Sequence, residues 1–308
     1  MTNKIVAVQG NSPSKLNPVT DTSVFLAHEI QNKNYKIFYY DPKDLSIINS
    51  KVIASGFFIE FNYKNKKFFK ILKKQKLELT KCKFILIRQD PPFNLEYISA
   101  TYILDSIKDK VKILNNPTSI RNVSEKLYSV KFQKYMPDTI FTQNIDEIKN
   151  FFKKYKKVIL KPIHSYSGND IHLLTSFNLK LIKKFIKQHD HIMCQKFIPK
   201  ISKGDKRVFL INGKVCGAIS RVPKKGSYLS NMSKGAKPIN IKLTKIENKI
   251  SKLIAKDLKK QNIFFAGIDF IDQKLNGDIN VTSPTGLKTL YDLSGINLAK
   301  TFWKELKA

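Results

Sequence analysis

The chain has 308 residues, of which 42% are hydrophobic, with three cysteines and a formal charge of +32. This length is more than one small core fills and predicts two domains, or one domain with a tightly joined partner. The apolar content excludes intrinsic disorder, no apolar run approaches the roughly 20 residues of a bilayer span, and MTNKIVAVQGN is too short in its apolar part for a signal peptide. That N-terminal stretch reads instead as a first strand, 4–9, followed by turn-rich residues up to Thr20. Asp21 or Thr22 can cap a helix running to about Lys33. Strands follow at 35–40, 52–54, 57–61, 83–88 and 111–114, with a helix over 95–108. Strands alternating with helices predict a largely parallel, doubly wound α/β unit ending near residue 123.

The second half has a different rhythm. A helix at 124–134 leads to a strand at 139–142, a helix at 145–156 and a strand at 158–161. A loop, a strand at 171–174, a helix at 178–188 and a strand at 191–197 come next. Two hairpins are then expected, turning at Asn212-Gly213 and at Asn276-Gly277, because Asn-Gly between apolar alternations is the strongest short hairpin signal. An amphipathic helix at 244–260 separates them, and a last helix at about 294–306 carries the one tryptophan, Trp303, as core packing. Ten of the twelve glycines lie from Gly168 onward.

The positive charge raises nucleic acid or an anionic membrane as partners. Its make-up argues against both. Only four of the 56 basic residues are arginines, and arginine is the residue that forks onto phosphates and base edges. Lysine runs such as 66–76 and 153–157 read as solvated faces. In so lysine-rich a chain, Arg88, Arg121, Arg207 and Arg221 stand where a guanidinium is needed. The unpaired, widely spaced Cys82, Cys194 and Cys216 fit a reducing cytoplasm.

Several segments carry potential chemistry. Asp269, Asp278 and Asn280 can share one side of the second hairpin as a hard-oxygen set suited to magnesium on nucleotide phosphates; the same residues also serve as ordinary turn formers. Lys161 ends an apolar strand just before the small polar loop HSYSGND (164–170), whose backbone N–H groups, around Ser167 and Gly168, could cover phosphates. A surface role for Lys161 is the competing reading. Arg207 and Arg221 open and close the first hairpin and can form an anion clamp. The long polar stretch 224–238 that follows lacks helical periodicity and reads as a lid. In RQDPPF (88–93), Arg88 and Asp90 sit at the carboxyl end of a strand, where doubly wound sheets bind ligands; a turn shaped by the two prolines is the competing reading. The five histidines show no zinc spacing.

Taken in order, these motifs resemble the bacterial glutathione synthetases of the ATP-grasp ligase superfamily. The resemblance runs nearly end to end through RQDPPF, EYISATYILD (96–105), NNPTSIRNVSEKL (115–127), ILKP (159–162), GDKRV (204–208), SRVP (220–223), and GIDFI with INVTSPTG (267–271 and 279–286). It implies an α/β plus α+β protein. A Rossmann-like N-terminal (pre-ATP-grasp) domain, 1–123, precedes a two-subdomain ATP-grasp fold, 124–198 and 199–308. Lys126 and Lys161, with Ser167 and Gly168, are implied to hold nucleotide phosphates. Gln195, Lys196, Phe197 and Ile198 are implied to border adenine, and Asp205 the ribose. Asp269, Asp278 and Asn280 are the implied ligands of magnesium, or of manganese in its place. Arg207, Arg221 and Asn231 would face substrate and γ-phosphate. Asp21, Ser23, Arg88 and Asp90 would contribute to the dipeptide site.

The implied reaction joins γ-glutamylcysteine to glycine with ATP, through an acyl phosphate, in a cytoplasmic homo-oligomer, a tetramer by resemblance. An ATP-grasp ligase for another acid–amine pair, and a weakly catalytic binding protein using its basic surface, are the alternatives. Two departures from the family pattern stand out. The phosphate loop keeps only Gly168, and Asp278 stands where a glutamate is usual, in a hairpin one residue longer.

Overall fold

The computed structural model describes residues 4–165 and 168–308. The first sheet is built from β1 (Ile5–Gln9), β2 (Lys36–Tyr40), β3 (Leu45–Ile48), β4 (Lys51–Phe61), β5 (Phe69–Glu78), β6 (Phe84–Ile87) and β7 (Lys112–Leu114). Its order is β3-β4-β2-β1-β6-β7, with β5 on β4. The strands β2, β1, β6 and β7 run parallel, as the alternation with α1 (Thr22–Gln31) and α2 (Leu95–Asp105) implies. Asp21 is the cap of α1, its Oδ1 accepting from the Val24 N–H at 2.8 Å.

Half of this sheet departs from the sequence expectation. β3, β4 and β5 are antiparallel, and residues 51–61 form one strand rather than two. The lysine run 66–76 is solvated as expected, and most of it forms strand β5, which was not expected. Its residues are exposed on both sides, so no apolar alternation betrays the strand; backbone pairing with β4 makes it. Lysines on such an edge also discourage pairing with another copy.

After the short helix α3 (Pro117–Asn122), the expected helix at 124–134 is a 3-10 segment, Leu127–Tyr135, kinked at Phe132. The second sheet holds β8 (Thr139–Thr142), β9 (Val158–Pro162), β10 (His172–Leu174) and β11 (Ile192–Lys196) in the antiparallel order β10-β9-β11-β8. α4 (Ile145–Tyr155) and α5 (Leu179–His189) cover one face through a core of Ile148, Phe152, Leu160, Ile182, Phe185 and Cys194. The period of two sends Ile159, Lys161, Met193 and Gln195 to the opposite face.

The third sheet has β12 (Asp205–Ile211), β13 (Lys214–Val222), β14 (Lys237–Asn240), β15 (Phe265–Ile271) and β16 (Lys274–Asn280), ordered β14-β13-β12-β15-β16. The β12–β13 turn falls at Asn212-Gly213, both residues at positive φ, as expected. The β15–β16 turn does not fall at Asn276-Gly277. It lies at Asp272-Gln273, whose φ values of 48° and 64° give the left-handed pair a two-residue hairpin needs. Asn276-Gly277 sits inside β16 as a bulge. Register runs from Phe270↔Leu275 to Ile268↔Ile279, so Asp269 alone faces the stretch 276–278. Gly277 has φ 90°, and a Cβ there would collide with the methyl of Met193.

α6 (Lys245–Lys260) starts with a capping box between Thr244 and Glu247. The terminal helix expected at 294–306 is α8 (Leu298–Glu305), and a further helix not expected from the sequence, α7 (Leu287–Ser294), precedes it. Gly295 at φ 72° ends α7, and the Asn297 side chain caps α8. Trp303 is 1% exposed and packs as expected, but in the core of the first sheet beside Phe84, with its indole N–H donating to the Leu26 carbonyl at 2.9 Å.

Candidate functional site

Second and third sheets face each other across a cleft of about 850 Å³, part of it open to solvent. The third sheet's contribution follows from register. Asp205 is opposite Arg221, and Arg207 is opposite Asp269. Asp205 and Arg207 are two residues apart on β12, so all four side chains share one face. Gly267 leaves the room they need, since a Cβ there would come within 2.8 Å of Arg207 Cδ.

The four form one buried network. Arg207 Nη2 donates to Asp269 Oδ2 at 2.8 Å while its Nε donates to Oδ1. Arg221 Nε donates to Asp205 Oδ1 at 2.8 Å, and its Nη2 is shared between Asp205 Oδ2 and Asp269 Oδ2, the latter at 3.0 Å. Burial alone would raise the Asp269 pKa, but the two guanidinium groups outweigh it and hold it at about 2, below the ordinary 3.8. A depressed carboxylate adds stability that is complete above the unfolded value and disappears as pH falls through the folded one. About 2 kcal/mol of stability should therefore vanish between about pH 4 and pH 2. Urea unfolding followed across that range checks it: an Asp269→Asn variant should lack this acid-sensitive component.

The opposite wall supplies lysines. Lys126 Nζ donates to the Ser165 carbonyl at 2.9 Å and stands 3.6 Å from Asp278. Lys161 Nζ donates to both the carbonyl and the side-chain oxygen of Asn276, each at 2.9 Å, and stands 3.7 Å from Asp278. The Asn276-Gly277 bulge thus delivers acceptors to Lys161 and holds Asp278 between two ammonium groups. Burial pulls the Lys161 ammonium below its ordinary pKa, opposed by Asp278.

Asp269, Asp278 and Asn280 line this same cleft. Asn280 spends its Nδ2 on the Gly267 carbonyl at 3.2 Å, which leaves Oδ1 as its free coordinating atom. Both Asp269 oxygens are engaged by Arg207 and Arg221, so Asp278 and Asn280 are the members of this set that present open oxygens, of the type a hard divalent cation takes. Asp278 Oδ2 accepts from Asn276 Nδ2 at 3.3 Å, and its oxygens otherwise face the two lysines at 3.6 and 3.7 Å.

Gln195, Lys196, Phe197, Ile198, Asp205 and Gly168 also line the cleft. Gln195 donates to Thr139 Oγ1 at 2.9 Å, and both oxygens of Asp205 are engaged by Arg221. Ser167 lies outside the described residues. The segment 224–238 crosses the cleft mouth: Tyr228 donates to the Ile171 carbonyl at 3.3 Å, and Asn231 packs against Gly168.

A second cavity, about 1420 Å³, opens between the first and third sheets and is lined by Asp21, Asp90, Lys15, Ser283 and Thr285 among others. It shares Glu125, Arg207, Arg221, Asn231 and Asn280 with the first. Arg88 and Ser23 line neither cavity. Arg88 lies beneath, its Nε donating to Ser23 Oγ and its Nη2 to the Pro284 carbonyl, both at 3.0 Å. Beside them the Gly286 N–H donates to Thr22 Oγ1 at 3.1 Å. These residues stitch the start of α1 to the end of INVTSPTG. Glu125 and Thr282 are among the lining residues that sequence reasoning passed over. Both lie inside recognised motifs, but a single Glu and a single Thr carry no spacing signal.

Comparison with known proteins decides the family. Residues 5–121 match the N-terminal domain of prokaryotic glutathione synthetase, and residues 125–295 its ATP-grasp domain. The chain belongs to the prokaryotic glutathione synthetase family. The glutathione synthetase of Bradyrhizobium diazoefficiens is 32% identical over 306 residues, covering 98% of this chain and 97% of the relative. That of Buchnera aphidicola subsp. Baizongia pistaciae is 36% identical over 293 residues, covering 93% and 90%. Among solved structures, a RiPP-associated ATP-grasp ligase of Chryseobacterium gregarium superposes with TM-score 0.65 at 16% identity, covering 99% of this chain and 97% of that one. D-cycloserine synthetase gives 0.66 at 8% identity, covering 98% and 99%. At such identities these two speak for the fold alone. The synthetase is therefore an ATP-dependent ligase of ATP-grasp architecture. Among its described residues no helix is long and apolar enough to cross a membrane.

Proposed function

We propose that this synthetase joins γ-glutamylcysteine to glycine, using ATP and releasing ADP and phosphate. The observation that carries the reading is the junction of the two cavities, where Arg207, Arg221, Asn231 and Asn280 belong to both. A nucleotide in the first cavity and an acid in the second would meet at those groups. Lys126 and Lys161 would hold the phosphates, and the 195–198 strand end would border the base. Arg207 and Arg221 would orient the acid's carboxylate toward the γ-phosphate and stabilise the oxyanion of the tetrahedral intermediate. Asp269, Asp278 and Asn280 would hold magnesium, or manganese in its place, which when bound neutralises phosphate charge. The 224–238 segment, lying across the mouth, would keep water from the acyl phosphate.

The three free thiols, with Cys82 and Cys194 buried and pushed up to about 12 by burial, support work in a reducing cytoplasm. The same reading carries the three-part division at residues 123 and 198 and a homo-oligomer. ADP release with magnesium, ATP and γ-glutamylcysteine, with and without glycine, tests the function. The expected result is glycine-dependent release with formation of the tripeptide. ADP release that ignores glycine, or that requires another acid or amine, would overturn the substrate pair.

A further inference from the structure

Glu125 stands where three spaces meet. It lines the nucleotide cleft, the acid cavity, and a third, water-sized crevice of about 20 Å³ whose wall includes Pro91, Phe93, Ile163, His164 and Thr282. Its position is fixed from both ends. Its own carbonyl accepts from the Ile279 N–H at 2.8 Å, tying it to the β16 strand that bears Asp278 and Asn280. One carboxylate oxygen, Oε1, accepts from the Thr282 hydroxyl at 2.7 Å. Among the described residues Oε2 makes no hydrogen bond. A carboxylate with one oxygen held and the other without a hydrogen-bond partner among the described residues, at the junction of these spaces, is arranged to accept a proton.

The ligation reading creates a need for that service. An amine arriving at neutral pH is an ammonium ion, with no lone pair to attack an acyl phosphate. The lysines and arginines of the cleft are themselves cationic, and Asp269 is neutralised by two guanidinium groups. Asp278 lies between Lys126 and Lys161, on the phosphate side.

We infer that Glu125 is the general base of the amide-forming step. The inference rests on the ligation reading proposed above. In the step, the ammonium gives one proton to Glu125 Oε2 and becomes a free amine. The nitrogen lone pair forms the C–N bond at the acyl carbon, and the tetrahedral intermediate collapses with cleavage of the C–O bond to phosphate. The second nitrogen proton leaves with the phosphate, which departs as hydrogen phosphate, and Glu125 returns its proton to solvent.

The electrostatic setting agrees. Burial raises the Glu125 pKa, opposed by the Thr282 hydrogen bond and by Lys126 and reinforced by Asp278. Tyr97 of α2 also faces it, and His164 shares the crevice. A carboxylate raised in this way is a stronger base than an exposed glutamate.

The test compares glycine with hydroxylamine, which is already uncharged at neutral pH and needs no base. Glu125→Gln should lower glycine-dependent turnover by at least about 100-fold while lowering hydroxamate formation by less than about fivefold. Thr282→Val keeps the carboxylate but removes a hydrogen bond that favours its charged form. It should move the acidic limb of the glycine pH profile upward. Equal loss with both amines would mean that Glu125 serves the nucleotide or the fold, and would overturn the proposal. So would unchanged glycine turnover in Glu125→Gln, an amine-selective loss in His164→Asn instead, or an unmoved limb in Thr282→Val. Should the glutamine variant fail to fold, the pH limb of Thr282→Val decides alone. Failure of the substrate reading looks different: the wild-type protein would then form hydroxamate but show no glycine dependence. In that case the same pair of variants is read against a series of amines of rising basicity. The loss in Glu125→Gln must grow with basicity, and a flat series overturns the proposal.

Discussion

Replacing Arg221 with methionine should cost about 3–5 kcal/mol of stability and lower the unfolding temperature by roughly 10 °C. The reason is geometric. Asp205 is 1% exposed and takes hydrogen bonds on both carboxylate oxygens from Arg221, so the variant buries a charge whose main partner is gone. Asp269 keeps Arg207 and suffers less. Turnover should fall by about 10²–10³-fold as well, because Arg221 is one of the donors at the junction of the two cavities. Stability and turnover can be separated. Adding Asp205→Leu to Arg221→Met removes the orphaned carboxylate and should restore most of the thermal stability, since an apolar replacement of a buried pair is often neutral. Turnover should not return. A single variant that melts at the wild-type temperature, or a double variant that regains activity, would contradict this account.

The second large effect concerns a residue outside both cavities. Asn115, at the end of β7, is 4% exposed. Its Nδ2 donates to the carbonyls of Phe265 and Val281 at 2.7 Å each, and its Oδ1 accepts from the Phe264 and Phe265 N–H groups at 2.8 Å each. One amide thereby pins the start of β15 and the segment after β16, the two arms that carry Asp269, Asp278 and Asn280. Asn115→Ala leaves four backbone groups without this partner. It should destabilise the protein by about 3 kcal/mol or more, measured as the midpoint of urea unfolding at unchanged slope. Because the arms position the cation ligands, the magnesium concentration for half-maximal turnover should rise about tenfold. A variant with reduced stability but an unchanged magnesium requirement would show that Asn115 braces the fold and not the hairpin.

The sequence revealed strands and helices where periodicity is imposed by a buried face. β1, β6, α4, α5 and α6 all have one, and all were found close to their observed bounds. It concealed elements that other forces make. β5 has no buried face and exists through pairing with β4. The break between α7 and α8 depends on one left-handed glycine and one cap. The β15–β16 turn was misplaced because Asn-Gly is a stronger local signal than Asp-Gln, whereas the bulge needs Gly277 for close approach to Met193. The site divides along similar lines. Side chains at period-two positions of a hairpin, such as Asp205 with Arg207, can be seen from spacing. Arg88, Ser23 and Thr22 could be picked out as a group but not oriented, since Arg88 and Thr22 touch a loop 196 and 264 residues away and Ser23 touches Arg88. Glu125 became visible only as a position where three cavities converge.

The placement of the C-terminal helices bears on how the chain is made. Trp303 and Phe302 complete the core formed by Val6, Phe25, Leu26 and Phe84, and Leu287, Leu290 and Leu298 belong to the same cluster. On a ribosome, residues 5–114 can pair their strands early. One face of that sheet stays greasy and uncovered until nearly two hundred more residues have emerged. Domains generally fold as units, N-terminal first, and exposed apolar surface in that interval invites aggregation. Here the first unit translated is among the last to be sealed. The middle sheet, whose core draws on no distant segment, is by contrast the part whose packing is complete within its own stretch of chain.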